Sequence, residues 1–169
     1  MRNTASLSAT TGRLITTVLL CTSLFDSAPL RAEQDLSLEL GTGVLYTDNS
    51  SLLMLGLERD DGWLFGLRSY ITTNVGAWSG DLGAANVGLA KGVTWNMGGW
   101  GYRLSSGVSL ISNTSTHLST AFQFYEQFLV STSIAGHPVA LSYRHWSNGN
   151  IKKPNYGVDF LGLETRMTW

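Results

Sequence analysis

The sequence predicts an all-β protein, an eight-stranded antiparallel transmembrane β-barrel of the outer membrane. Three observations carry that expectation. From Asp35 onward apolar residues recur at a period of two, turn residues interrupt them at intervals suited to strands of about ten residues, and the runs number eight. A bilayer accepts only closed sheets, because hydrocarbon satisfies no backbone hydrogen bond and tolerates no open edge.

Composition narrows the alternatives. Of 169 residues 43% are hydrophobic and 14% charged, well below the roughly 25% charge of a soluble domain. Eleven basic residues face twelve acidic ones, a net charge of -1, and no basic run exists to neutralise phosphates, which argues against nucleic acid as a partner. Nor is any apolar run long enough for a membrane-spanning helix.

Taken in order, residues 1–32 read as an export signal. Arg2 and Arg13 supply the positive start, Leu14 to Phe25 the apolar core, and Ala32 a small residue at the cleavage point. Cys21, the sole cysteine, would leave with the signal, so the barrel of residues 33–169 has no disulfide available. Strands are expected near 36–46, 52–59, 63–71, 84–95, 100–111, 120–134, 139–147 and 158–169. Leu36, Leu38 and Leu40, alternating with Ser37, Glu39 and Gly41, set the pattern. Asp60-Asp61-Gly62, Asn96 to Gly99 and Ala135 to Pro138 would be the tight turns of the periplasmic end. Asp48 to Ser50, Thr72 to Gly83, Ser112 to Ser119 and Asn148 to Gly157 fall at the opposite end, and three of these four are long, as extracellular loops are. Trp63, Trp95, Trp100 and Trp169 stand at strand ends on the short-turn side, as an aromatic girdle would.

A soluble up-and-down barrel also alternates, but it turns its apolar face inward. Strand six carries Phe122, Phe124, Phe128, Val130 and Ile134 on one face and Gln123, Tyr125 and Gln127 on the other. An eight-stranded interior is narrow, so a face so rich in Phe belongs against lipid.

The chemistry gathers at the C-terminal hairpin. His145 and Ser147 share the outward face of strand seven with Val139, Leu141 and Tyr143, at its extracellular end. Asp159 stands outward near the start of strand eight, roughly opposite His145. Polar side chains facing hydrocarbon usually mark function. Serine, histidine and a carboxylate together form a nucleophile, its base and the acid that orients the base. A histidine at this height is also a common interfacial anchor, and spacing alone leaves both readings open. Glu126, the one acid on the outward face of strand six, is a rival orienting acid; pairing strands six and seven through Gly136-His137 puts it across from Ser147. Arg144 points inward, toward Glu39 or Glu164, and His117 and His137 are assigned nothing.

His145-Trp146-Ser147-Asn148-Gly149, followed by Pro154-Asn155-Tyr156-Gly157-Val158-Asp159, resembles the signature of the outer-membrane lipid A 3-O-deacylase (PagL) family, an H-x-S-N block followed by P-N-x-G-x-acid. The resemblance implies an eight-stranded barrel that hydrolyses the 3-position ester of lipid A, releasing a 3-hydroxy fatty acid, with no cofactor and no metal. It implies Ser147 as nucleophile, His145 as general base and Asp159 as orienting acid, with Asn148 and the backbone N–H of Gly149 helping to stabilise the oxyanion. Asp159 is the departure, since the family's best-known members carry Glu there. Lipopolysaccharide would be the substrate partner and the outer membrane the location, with a homodimer left open. Lys152 and Lys153 either meet a lipid A phosphate or form a solvated loop. The rivals are a catalytically silent structural or adhesive barrel and a soluble periplasmic carrier.

Overall fold

A computed structural model describes residues 34–45, 49–80 and 83–168, so the segment expected to be an export signal, residues 1–32, and Trp169 lie outside the described residues. Eight strands follow in order: β1 Gln34–Val44, β2 Ser51–Leu64, β3 Leu67–Trp78, β4 Ala84–Met97, β5 Trp100–Ile111, β6 Phe122–Ile134, β7 His137–Ser147 and β8 Val158–Thr168. Each pairs antiparallel with the next, and β1 pairs with β8 to close the barrel.

Alternation decides which way each side chain points. On β6 Phe122, Phe124 and Phe128 are exposed on the outer wall, while Gln123, Tyr125 and Gln127 are buried in the interior. Inside, charge meets charge. Arg144 Nε lies 2.5 Å from Glu39 Oε2 and its other end reaches Glu164 at 3.8 Å. Arg166 joins Glu164 at 2.6 Å and Glu58 at 3.1 Å. Arg103 pairs with Glu58 and covers the Tyr70 ring at 3.8 Å from its centroid. Buried ions need such partners, and here each guanidinium has a carboxylate. Toward the long-loop end the interior turns apolar: Trp146 packs against Trp78, Phe160 and Tyr125 with ring centroids 5.1 to 5.9 Å apart.

Three expectations about the connections are corrected. The turn expected at Asp60-Asp61-Gly62 is a bulge inside β2, where the register with β3 shifts between Asp60 and Trp63. Gly62, at φ +79°, donates its N–H to Asp60 Oδ1 at 3.1 Å, and the two acids pair outward with Arg68 and Lys91. The reversal comes at Phe65-Gly66, both at positive φ (54° and 77°), a conformation suited to two-residue hairpins. Gly98-Gly99 and Ala135-Gly136 make the other two short turns.

Thr72 to Trp78, expected as loop, completes β3. Its inward face of Thr72, Asn74 and Gly76 is polar or small, which suits a charged interior and erases the apolar alternation. Only two long connections therefore remain at that end, 112–121 and 148–157. Trp63, Trp95 and Trp100 do stand at the short-turn end, where Trp95 stacks on Tyr102 and an exposed Phe65 joins them.

Candidate active site on the outer wall

The hairpin β7–β8 sets the site. His145 and Asp159 are direct cross-strand partners. Their side chains meet on the outer wall, with His145 Nδ1 2.9 Å from Asp159 Oδ1. Asp159 is 6% exposed, covered from the side by Tyr143, whose hydroxyl donates to the same Oδ1. Tyr143 is a functional candidate the sequence reading missed: it sits one diagonal step from Asp159, and only the reach of its ring shows the contact.

Ser147 follows His145 by two residues on the same face and is partly exposed. Among the described residues no hydrogen bond joins Ser147 to His145. Directly across from it stands Phe124, because the tight turn at Ala135-Gly136 pairs Ile134 with His137 and shifts the expected register by two residues. Glu126 therefore faces His145 and not Ser147. Glu126 is exposed, so His145 is flanked by an acid on each neighbouring strand, and it is the Asp159 carboxylate that lies within hydrogen-bond distance of its Nδ1.

The backbone beyond Ser147 turns at once. Gly149 and Asn150, at φ 61° and 65°, form a turn closed by Ile151 N–H donating to Asn148 O at 3.1 Å. Asn148 is fully buried, and all three of its N–H groups serve the loop: Nδ2 donates to Lys152 O at 2.7 Å and Ser119 Oγ at 3.0 Å, and the backbone N–H donates to Asn155 Oδ1 at 3.0 Å. Asn148 thus ties the loop down and has no donor to spare for an oxyanion. Gly157 closes the other side at φ +74°: a Cβ there would stand 2.7 Å from His145 Cε1. Its N–H donates to His117 O at 3.3 Å, so the loop 112–121 braces the backbone that borders the imidazole. His117, left unassigned by the sequence reading, also packs its ring against Tyr156 at 5.8 Å. Lys152 and Lys153 are exposed. Among the described residues no cluster of three or more His, Cys, Asp or Glu is placed to hold a metal ion.

The family described as lipid A 3-O-deacylase (PagL) matches residues 52–168, most of the chain and all of this hairpin's described residues. The chain belongs to that family. Its reaction is the hydrolysis of the 3-O-acyl ester of lipid A, carried out in the outer membrane. Among solved structures the chain is similar to one titled "Crystal structure of the outer membrane enzyme PagL", with 20% identity and a TM-score of 0.61, covering 79% of this chain and 98% of that one. It is also similar to a de novo designed transmembrane β-barrel, at 9% identity and a TM-score of 0.53, covering 80% and 96%. At such identities both likenesses concern the fold. A comparison with curated proteins finds no match.

Proposed function

We propose that the deacylase is a serine hydrolase in which Ser147 is the nucleophile, His145 the general base and Asp159 the acid that orients it. The observation that carries this is the 2.9 Å contact of His145 Nδ1 with Asp159 Oδ1 on the outer wall. A carboxylate there makes Nδ1 the donor, leaving the Nε2 lone pair to accept a proton. Ser147 Oγ adds to the ester carbonyl carbon as its proton passes to Nε2. The imidazolium then returns that proton to the departing sugar oxygen, and the acyl group stays on Ser147. Water, deprotonated in turn by His145, releases the fatty acid and restores the serine. The N–H of Gly149 is the donor we retain for the oxyanion. Long loops mark the extracellular end of such barrels, which puts these groups at the outer leaflet, where lipid A resides. An active-site-directed phosphonate reagent should add once, at Ser147, as read by peptide mass spectrometry. Modification elsewhere, with Ser147 untouched, would remove the assignment.

Two neighbours of the imidazole should tune the rate. Tyr143→Phe removes one hydrogen bond to the acid and should lower kcat about tenfold with KM little changed, the scale of a hydrogen bond to a charged group. Loss in KM alone would make Tyr143 a substrate contact. Gly157→Ala forces a Cβ into the imidazole edge at a left-handed φ, and displacement of a catalytic group by about 1 Å is worth about a hundredfold in rate. Steady-state kinetics on a refolded barrel would check it; near-parental kcat would mean that the loop yields instead of the histidine.

A further inference from the structure

We infer that Ser119, in the connection between β5 and β6, is a positioning residue that fixes the peptide presenting the Gly149 N–H to the oxyanion. The inference rests on Ser147 as nucleophile and on Gly149 as the retained donor. The Ser119 hydroxyl sits between two groups of the facing loop: it accepts from Asn148 Nδ2 at 3.0 Å and donates to Lys152 O at 2.9 Å. Asn148 Nδ2 also donates to that carbonyl at 2.7 Å, so hydroxyl, amide and carbonyl close a ring of hydrogen bonds. Asn148 lies between Ser147 and Gly149 and is fully buried. Its own carbonyl, at the other end of the peptide that carries the Gly149 N–H, accepts from Ile151 N–H at 3.1 Å. Holding side chain and carbonyl together sets the direction of that N–H. Gly149, at φ +61° and without a Cβ, offers little resistance of its own to rotation.

A brace works only if it is itself held, and the connection 112–121 is fastened to the barrel independently of the β7–β8 loop. Ser115 closes its turn: the N–H donates to Leu118 O at 2.9 Å, and Oγ accepts from the N–H groups of His117 and Leu118 at 3.1 and 3.2 Å. Leu118, 1% exposed, belongs to the buried cluster of Trp78, Trp146 and Val158. On the other side of Ser119, the buried Gln123 donates to the carbonyl and hydroxyl of Thr120. Ser119 therefore stands between two anchored neighbours with its hydroxyl directed at the next loop. Oxyanion donors act by being in place before charge develops, so a donor that drifts loses transition-state stabilisation and leaves substrate binding nearly intact.

The test measures kcat and KM for Ser119→Ala and for the pair Ser119→Thr and Ser119→Val, which are alike in shape and differ by the hydroxyl. Turnover is counted per site titrated with the phosphonate reagent, so unfolded protein does not enter the rate. Ser119→Ala and Ser119→Val should lose about ten- to a hundredfold in kcat with KM little changed, short of the effect of deleting an oxyanion donor outright. Ser119→Thr should stay close to the parent. Parental kcat in the alanine variant, equal losses in the threonine and valine variants, or a loss confined to KM overturns the inference. A parent whose Ser147 stays unlabelled by the phosphonate sinks the serine mechanism and this inference with it, whereas labelling at Ser147 with kcat indifferent to Ser119 sinks only the positioning role.

Discussion

Ser147→Ala should yield a folded barrel whose deacylation of lipid A falls by at least about a thousandfold. The expectation follows from the chemistry: alanine offers no nucleophile, and what remains of the machinery supplies only binding and electrostatics. The fold should not notice the change. Ser147 is the last residue of β7 and partly exposed, while Trp146, fully buried among Trp78, Tyr125 and Phe160, anchors that strand end. Mass spectra of lipid A from cells carrying the variant would show the acyl chain retained, with the protein present in the outer membrane. Spectra like the parent's would favour a water molecule activated directly by His145, and His145→Ala would then be the inactive variant.

The second large effect separates the two acids beside the histidine. Asp159→Asn should lower kcat by about 10⁴, as an amide no longer holds the productive tautomer or stabilises the imidazolium. Glu126→Gln should change it little, because the carboxylate that meets His145 Nδ1 is that of Asp159. A large loss confined to Glu126→Gln would transfer the orienting role across the sheet.

How much of this was legible beforehand depends on what each residue reports. β6 announces itself, since Phe122, Phe124 and Phe128 alternate with Gln123, Tyr125 and Gln127 and the period carries the face. The second half of β3 does not: Thr72, Asn74 and Gly76 point into a polar interior, and polarity on the inner face leaves no apolar signal for the eye to follow. Asp60-Asp61-Gly62 has the composition of a turn but lies in a bulge, because a glycine at positive φ serves either purpose. At the site, the pleat alone places His145 and Asp159 on one face at one height. It cannot give the register of β6 against β7, which hangs on whether the hairpin loop holds two residues or four, and so it set Glu126 beside the wrong partner. Nor can it show that the side chain of Asn148 is spent on Lys152 and Ser119, or that Tyr143 leans onto Asp159, since those contacts depend on reach and not on spacing.

The outward placement of His145 and Ser147 changes how such an enzyme meets its substrate. Groups on the wall of a barrel are approached sideways, by molecules diffusing in two dimensions, with no pocket mouth opening to the aqueous phase. Encounter frequency is then counted per unit area, and the mole fraction of lipid A in the leaflet takes the role that molar concentration has for a soluble esterase. Phospholipids sharing that layer act as diluents even where they bind nothing, and a tightly packed, slowly moving leaflet restrains the reaction without any inhibitor being present.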